Sequence, residues 1–397
     1  MKFCFFTFYY PPDLSAGSFR SISLVENLID QMDSKSNLVV ITTAPNRYKS
    51  YDVKTEFLTI KSNLKIFRIR LPQHSGSMFS QAFSFSIYFF KAIKICYKEK
   101  PDYLIGTSGR LMTAILTWLT SVLLQKPYAI DLRDIFSETI SNIFEKKNRF
   151  IGKLFFRLFS YIDKKVLTNA NCVNLVSKGF SKYFEEKGFD TSKWHFYPNG
   201  IDEIFLGKTI STSNPHKCKF NILYAGNIGH AQSLHNIVPD VARKMGEKFR
   251  FIIIGDGSAR QKLIARIERL KIKNVKIINP VNRQKLIKYY RESNILFLHL
   301  DDIPAFKRVL PSKIFEYAVM GKPIVAGVQG YSSKFLKKHI PYSLVFKPGD
   351  VDRCVETIIK STNKTVKKSE VDHFINNFSR NTIMKSFAAD LLKISKT

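Results

Sequence analysis

The sequence predicts an α/β protein made of two Rossmann-like domains, and three observations lead to this fold class. Short apolar runs that suit buried strands alternate with segments of helical period, as in a doubly wound sheet. The alternation stops at residues 198–219, which are rich in Gly, Ser, Thr, Asn and Pro, and then starts again. The length of 397 residues suits two domains better than one, and two domains imply a cleft between them.

The first half contains six apolar runs of strand length and three longer helical segments. The predicted strands are residues 2–8, 37–42, 65–70, 103–106, 128–132 and 171–176. The predicted helices are residues 18–31, 79–99 and 112–124. We expect the first domain to cover residues 1–205, with a C-terminal helix at about 376–397 packing back onto it.

The second half repeats the alternation and is predicted to form a domain of residues 206–375. The predicted strands are residues 220–224, 249–254, 275–278, 295–298 and 323–326. Helices are expected to begin near residues 234, 258, 283 and 312. Pro348-Gly349-Asp350 resembles a turn whose aspartate caps a further helix that begins at about Val351.

Composition and charge restrict the class of protein. A hydrophobic content of 45% and a charged content of 24% are typical of a globular chain, while the net charge of +31 predicts attraction to phosphates or to an anionic lipid surface. The five scattered cysteines contain no C-x-x-C, which argues against a disulfide framework or zinc site and fits a reducing cytoplasm. The apolar stretch 111–124 is shorter than the roughly 20 residues that span a bilayer, so we expect a core helix there.

Four turns lie where a parallel α/β sheet binds its ligands, beyond the carboxyl ends of strands. They are residues 16–18, 226–229, 255–257 and 310–312. Taken singly, a glycine in such a turn is more often an ordinary turn residue, and Gly255-x-Gly257 lacks the third glycine of the dinucleotide fingerprint.

Several motifs in order resemble the GT-B glycosyltransferases of family 4, and the resemblance covers nearly the whole chain. They are YYPPDLSAGSFRS at 9–21, DLRDIFSET at 131–139, FYPNGID at 196–202, YAGNIG at 224–229, IIIGDGSARQKL at 252–263, PSKIFEYAVMGKPIVAG at 311–327 and FKPGD at 346–350. The pair DLRDIF and PSKIFEY is similar to transferases of N-acetylated amino sugars, such as N-acetylfucosamine, in O-antigen and capsule pathways. The resemblance implies a GT-B fold, with a deep cleft between two Rossmann-like domains.

The resemblance implies a donor site in the second domain. Glu316 would accept hydrogen bonds from the two ribose hydroxyls, and Ser312 with Lys313 would hold the diphosphate. Val281 would contact the base through its backbone. The glycine turns would add Gly226, Asn227, Gly255 and Gly257.

The same resemblance implies an acceptor side in the first domain. Gly17, Ser18 and Arg20 follow the first strand, where relatives contact phosphate or acceptor. Arg133 and Asp134, with Asp131 behind them, stand where many relatives place a histidine and an aspartate near the reacting sugar. A structural salt bridge among these last residues is the alternative.

Two departures from the family pattern concern charge. Arg308 stands where the family carries its first glutamate, and the usual Arg and Lys after Gly226 are missing. We therefore expect Lys307, Arg308 and Lys313 to supply the positive charge that the diphosphate needs. Substitution of Arg308 and Lys313 by alanine should then weaken donor binding.

These features together predict a retaining transferase that moves a sugar from a nucleotide-sugar, UDP-linked by expectation, to a lipid-linked saccharide acceptor. No resident cofactor or metal site is expected, since the Asp350-x-Asp352 pair reads as a helix cap. Alternatives are a nucleotide-sugar 2-epimerase of the same fold and a basic nucleic-acid-binding protein. No nucleic-acid motif accompanies the charge, so nucleic acid is not an expected partner.

Residues 144–166 alternate basic with aromatic and aliphatic side chains, a pattern typical of a helix that lies in a membrane interface. A core helix with solvated lysines is the alternative. We therefore expect a cytoplasmic protein, held peripherally at the anionic inner face of the plasma membrane.

Overall fold

The computed structural model describes residues 1–13, 15–45, 55–72, 78–108, 111–135, 149–207 and 219–396. The chain divides into two compact units. The N-terminal unit comprises Met1–Asn199 and Arg380–Thr397, and the C-terminal unit comprises Gly200–Ser379. The sequence placed these boundaries at 205/206 and 375/376.

The sheet of the N-terminal unit has eight strands in the order β3-β4-β2-β1-β5-β6-β7-β8. All neighbours are parallel except β3 and β4, which form an antiparallel pair at one edge. Phe3 and Phe5 of the central strand are fully buried, as expected for a parallel sheet covered on both faces. The strands are β1 (Lys2–Phe6), β2 (Asn37–Thr43), β3 (Leu58–Lys61), β4 (Leu64–Ile69), β5 (Tyr103–Thr107), β6 (Tyr128–Leu132), β7 (Cys172–Leu175) and β8 (His195–Phe196).

Helices cover both faces of this sheet. The described helices are α1 (Ala16–Gln31), α2 (Met78–Glu99), α3 (Leu111–Leu124), α4 (Arg149–Thr168), α5 (Gly179–Glu185) and, from the end of the chain, α13 (Arg380–Ile394). Helix α13 packs against α1, and its Met384, Phe387 and Leu391 join the core that contains Phe3 and Phe5. Burial of these apolar side chains ties the end of the chain to the N-terminal unit.

The sheet of the C-terminal unit has six parallel strands in the order β11-β10-β9-β12-β13-β14. Buried aliphatic and aromatic residues pack on both of its faces. The strands are β9 (Phe220–Ala225), β10 (Phe249–Ile254), β11 (Val275–Ile278), β12 (Ile295–His299), β13 (Ile324–Gly327) and β14 (Ser343–Phe346). The helices are α6 (Leu234–Met245), α7 (Arg260–Arg269), α8 (Arg283–Glu292), α9 (Lys313–Ala318), α10 (Gly330–His339), α11 (Val351–Thr362) and α12 (Lys368–Phe378).

The predicted alternation of strands and helices agrees with these elements, and the doubly wound α/β class is confirmed. Asp350 caps α11 as predicted, since its side chain accepts a hydrogen bond from the Arg353 amide at 3.0 Å. Strand β3 was not predicted, because an edge strand that is mostly exposed lacks the apolar run of a buried strand. Residues 208–218 of the predicted linker lie outside the described residues.

Helix α3 packs on β5 and β6 and buries Ala114 and Leu116, so the apolar stretch at 111–124 is a helix of the core. None of the helices described in the structure has the length and apolar character needed to cross a membrane.

Candidate functional site

Glu316 lies in the middle of the short helix α9, which follows the loop after β12. Its neighbours Phe315 and Tyr317 are buried, whereas Glu316 itself is half-buried. The Tyr290 hydroxyl of α8 donates a hydrogen bond to Glu316 Oε2 at 2.9 Å. The carboxylate is therefore held in place by a buried phenol and keeps acceptor capacity for a ligand hydroxyl.

The Lys313 side chain lies against the backbone of Gly226 at the end of β9. A Cβ atom on residue 226 would overlap the Lys313 side chain at Cε and Nζ, so only glycine leaves this space open. The ammonium also lies 6.0 Å from the centre of the Tyr224 ring. Burial lowers the pKa of Lys313, and the Glu316 carboxylate opposes that shift. Lys313 and Glu316 thus form a cation and an anion on the same helix, at the end of β9.

The glycines Gly255 and Gly257 serve chiefly to pack one loop on another. A Cβ atom on Gly255 would overlap the Gly226 carbonyl oxygen, and one on Gly257 would lie 2.7 Å from the Ile228 carbonyl. Ile228 exchanges backbone hydrogen bonds with Asp256 and with Ala259 across the same contact. The backbone that these glycines admit belongs to the loop after β9, and the donor contact expected of them stays a prediction.

The loop after β9 is held by a network around Gln232 and His299. The Gln232 side-chain oxygen accepts from the Asn227 side chain at 2.9 Å and from the Gly229 amide at 3.2 Å. His299, buried at the end of β12, donates from Nδ1 to the Gln232 carbonyl at 2.8 Å and accepts at Nε2 from the Gly349 amide at 3.1 Å. Acceptance at Nε2 requires the neutral imidazole, which burial favours by lowering the pKa of His299. Asn227 is thus a member of a positioned loop.

The remaining predicted donor residues occupy different surroundings. Lys307 ends a 3-10 turn and pairs with Asp302 at 3.7 Å, so its charge is already partly balanced. Arg308 follows it and is half-buried. Ser312 precedes α9 without capping it through its side chain, and Val281 packs against the core of the unit.

In the N-terminal unit, Arg133 lies across the start of α1. A Cβ atom on Gly17 would overlap Arg133 Nη1, so the guanidinium rests on the Gly17 backbone. The Arg133 amide donates to the Ser108 hydroxyl at 3.1 Å. Ser15, not Ser18, caps helix α1: the Ser15 hydroxyl accepts a hydrogen bond from the Ser18 amide at 3.1 Å. The Ser18 hydroxyl is buried and has no hydrogen-bond partner among the described residues.

Arg20 and Asp131 form a buried ion pair, and each is 1% exposed. Arg20 donates from Nε and Nη2 to the two carboxylate oxygens, both at 2.8 Å, and further to the carbonyls of Tyr197 and Pro198. Asn174 donates to Asp131 as well, at 2.6 Å. Burial acts to raise the pKa of Asp131, but Arg20, Arg133 and the Asn174 hydrogen bond together outweigh burial, and the pKa is lowered. Arg20 and Asp131 thus form a salt bridge within the unit, and the ligand contacts expected of these two residues stay a prediction.

Asp134 differs from Asp131 although it is only three residues away. It keeps accessible surface, yet the surrounding protein desolvates its carboxylate and raises the pKa of Asp134 to about 6. The Arg133 guanidinium opposes this shift. Residues 136–139 of the predicted motif lie outside the described residues. The structure thus brings the Arg133 side chain onto the buried Gly17, and Asp134 follows Arg133 at an exposed position.

Two residues that position the site were not predicted. Tyr290 lies on the buried side of α8. The one signal for its role is that a buried tyrosine hydroxyl needs a hydrogen-bond partner. His299 ends the apolar strand ILFLH, where a buried polar residue is a signal in itself. Among the described residues, no three His, Cys, Asp or Glu side chains are grouped as metal ligands would be.

Comparison with known proteins gives a family match in the second half of the chain. Residues 208–378 match the family described as Glycosyl transferases group 1. WcaI of Escherichia coli K12, named as a glycosyl transferase of colanic acid biosynthesis, is 23% identical over 259 residues, which are 63% of this chain and 63% of WcaI. The 2-deoxystreptamine N-acetyl-D-glucosaminyltransferase of Niallia circulans is 26% identical over 155 residues, 38% of each chain. The chain thus aligns with less than two thirds of either relative.

Solved structures show the fold over nearly the whole chain. Anabaena HepE, crystallised with UDP and glucose, superposes with a TM-score of 0.68 at 15% identity. The superposition covers 98% of this chain and 99% of HepE. Residues 208–378 are therefore similar to the Glycosyl transferases group 1 family, in a chain that has the GT-B fold and resembles the enzymes of polysaccharide biosynthesis.

Proposed function

We propose that the protein is a retaining glycosyltransferase of surface polysaccharide biosynthesis, which moves a sugar from a UDP-linked donor to a lipid-linked saccharide. The observation that carries this proposal is the pairing of Glu316 and Lys313 on α9, inside the group 1 domain. A carboxylate that accepts hydrogen bonds and a desolvated ammonium lie on one helix. They suit the ribose and the diphosphate of a nucleoside diphosphate, respectively.

The donor is bound through opposite charges. Glu316 accepts hydrogen bonds from the ribose hydroxyls, while Tyr290 holds its second oxygen. Lys313 faces the diphosphate, and its burial strengthens the attraction because a poorly solvated ammonium is screened less by water. As the sugar departs, negative charge grows on the diphosphate, and Lys313 stabilises that charge. The loop held by His299 positions the Gly226 backbone beside it.

The acceptor is bound by the N-terminal unit. Arg133 rests on Gly17, so the guanidinium and the start of α1 offer positive charge and N–H donors to an acceptor phosphate or hydroxyl. Asp134 orients an acceptor hydroxyl, and the leaving phosphate takes the proton of that hydroxyl. The reaction then needs no protein base and no resident metal, because the cations of the chain balance the charge of the diphosphate.

The transferred sugar is an N-acetylated amino sugar in this proposal, of the N-acetylfucosamine type. Support comes from the DLRDIF and PSKIFEY motifs and from the substitution of Arg308 for the family's first glutamate. The Niallia circulans relative is named as an N-acetylglucosaminyltransferase. Helix α4, with its basic and aromatic side chains, holds the protein at the anionic cytoplasmic face of the membrane, where a lipid-linked acceptor resides. Residues 144–148 of the predicted interfacial segment lie outside the described residues.

A donor screen tests the proposal. Release of UDP or GDP is measured for a panel of nucleotide-sugars, with and without membrane lipid extract and with EDTA. We expect one UDP-linked amino sugar to be consumed only when lipid is present, unaffected by EDTA, with the anomeric configuration kept. Conversion of the donor without lipid would favour the 2-epimerase alternative, and tight salt-sensitive binding of duplex DNA would favour the nucleic-acid alternative.

A further inference from the structure

Helices α2, α3 and α4 form one layer on the N-terminal sheet. Helix α2 packs on β2 and β4, α3 packs on β5 and β6, and α3 contacts both α2 and α4. Helices α1 and α13 lie on the other face, where they share a core with Phe3, Phe5 and Val40. The outer side of the α2–α3–α4 layer is therefore a surface of the N-terminal unit.

Helix α2 carries an exposed apolar row that sequence analysis did not identify. Phe83, Phe90 and Tyr97 are spaced by seven residues and so fall on one side of the helix. Phe90 is 70% exposed. On the neighbouring α3, Val122 and Leu123 near the C-terminal end are exposed as well. Large apolar side chains repeated along one side of a helix are unusual on a surface that faces water only.

Helix α4 carries a second row of the same kind. Phe150, Leu154, Leu158 and Tyr161 follow at spacings of four, four and three residues, which again places them on one side. Phe150 is 84% exposed. Outside the N-terminal unit, Ile359 is the one comparable exposed apolar side chain among the described residues.

Charge on this layer has a single sign. The exposed charged side chains of α2 and α4 are basic: Lys91, Lys94, Lys98, Lys153, Arg157, Lys164 and Lys165. The carboxylates of these helices are paired or buried: Glu99 pairs with Lys2 and Lys65, and Asp163 is buried. Helix α3 has no acidic residue. Apolar rows bordered by ammonium and guanidinium groups match the acyl chains and head groups of an anionic bilayer.

We propose that the outer side of α2, α3 and α4 is a single membrane-docking face, in which the aromatic row of α2 inserts alongside that of α4. This inference rests on the proposed function and extends its membrane contact, which was assigned to α4 alone. A second copy of the chain is a poorer occupant, because two copies of the face would bring like charges together. Lysines beside each row extend their stems along apolar surface and leave their ammonium groups at the phosphate level.

The test uses the full chain and flotation with two kinds of vesicle, phosphatidylcholine alone and phosphatidylcholine mixed equally with phosphatidylglycerol. The triple variant Phe83→Ser/Phe90→Ser/Tyr97→Ser, with α4 intact, should lower partition onto the mixed vesicles about tenfold or more. Ile359→Ser, a change at an exposed apolar residue of the C-terminal unit, should leave partition unchanged. Partition of the triple variant equal to the parent protein would overturn the proposal.

Charge reversal separates this face from the overall charge. Lys91→Glu/Lys94→Glu should reduce binding to the mixed vesicles about tenfold or more, because each basic group near the surface contributes on the order of 1 kcal/mol. Lys337→Glu/Lys338→Glu makes the same change in net charge on exposed residues of α10, and should have little effect. Equal losses for both variants would show that net charge alone drives binding, and would contradict a docking face.

Two further measurements keep the outcome clear. Phe90→Trp should show a blue-shifted fluorescence increment on mixed vesicles, which reports insertion even if the triple variant fails to fold. Concentration-dependent dimerisation abolished by the α2 changes would instead assign the face to a second copy and overturn the membrane proposal. UDP binding by calorimetry is followed in parallel on the parent protein: flotation without UDP binding refutes the donor site, whereas UDP binding without flotation refutes the docking face.

Discussion

The Lys313 ammonium lies against the Gly226 backbone, in the space that a side chain on residue 226 would fill. This contact joins the end of β9 to the first residue of α9 and sets the cation beside Glu316. The two motifs that supply these residues are far apart in sequence, so the relationship exists only in the fold. The contact predicts that donor binding depends on the Lys313 ammonium.

Lys313→Met should weaken UDP binding about tenfold or more, because a charge-assisted hydrogen bond to the diphosphate contributes roughly 1.5–3 kcal/mol. Gly226→Ala should weaken it as well, since the new methyl group displaces the ammonium. Calorimetric titration with UDP measures both effects. Lys322→Met serves as the control, because Lys322 is another lysine whose pKa is lowered by burial in the same unit. Unchanged affinity in the Lys313 variant would remove this residue from the donor site.

Glu316→Gln should reduce affinity for UDP by about tenfold, because a neutral amide accepts ribose hydroxyl hydrogen bonds less strongly than a carboxylate does. Tyr290→Phe should cost less, since it removes the bond that holds the carboxylate and leaves the carboxylate itself. A comparison of UDP with 2′-deoxy-UDP should show discrimination in the parent protein and little in Glu316→Gln. Glu292→Gln, at a half-buried position of α8, is the matched control.

Asp131→Ala should destabilise the protein by about 3–5 kcal/mol, because the buried Arg20 guanidinium would lose its counter-charge. Urea unfolding at neutral pH measures the change. Glu186→Ala, which breaks the exposed pair of Lys182 and Glu186, should cost about 0–1 kcal/mol. A small loss for Asp131→Ala would show that the pair does not stabilise the unit and would reopen a ligand role.

The sign of the pH effect follows from the lowered pKa of Asp131. The folded state favours the carboxylate, so this stabilisation is present above the unfolded pKa of about 4 and is lost as the pH falls through the folded value.

His299 should make stability depend on pH in the mildly acidic range. Its pKa is lowered in the folded state, so the unfolded chain takes up a proton first as the pH falls. The free energy of unfolding should therefore decrease as the pH falls below about 6.5, towards the folded pKa. His299→Gln should flatten this slope and raise the KM for the donor, since the loop after β9 loses its anchor. His373→Gln, at an exposed histidine, should change neither quantity.

Local patterns carried much of what was predicted. Period and turn residues located most of the strands and helices of both units, because a buried parallel strand needs an apolar run and a helix needs an apolar stripe. Strands β3, β8 and β14 were not predicted. The capping role of Asp350 was readable as well, since it depends on residues one turn apart. The motif around Glu316 placed it on a helix after a strand, as the structure has it.

Two kinds of fact were outside the reach of sequence. A motif does not reveal whether an arginine faces a ligand or a buried aspartate, and Arg20 pairs with Asp131, 111 positions away. Likewise, a glycine in the sequence does not identify the group that packs against it. The Gly226 carbonyl packs against Gly255, whereas the Lys313 side chain packs against Gly226. Each outcome depends on which distant atoms the sheets bring together.

The sequence by itself determined the α/β class, the restart of the pattern in the second half and the candidate motifs, because these rest on interactions between near neighbours. The tertiary structure decided which polar residues are paired internally and which remain at a surface. It buried Arg20 and Asp131, left Arg133 on Gly17, and set Lys313 beside Gly226. Burial and pairing of charge are properties of the packed units, and long-range packing alone settles them.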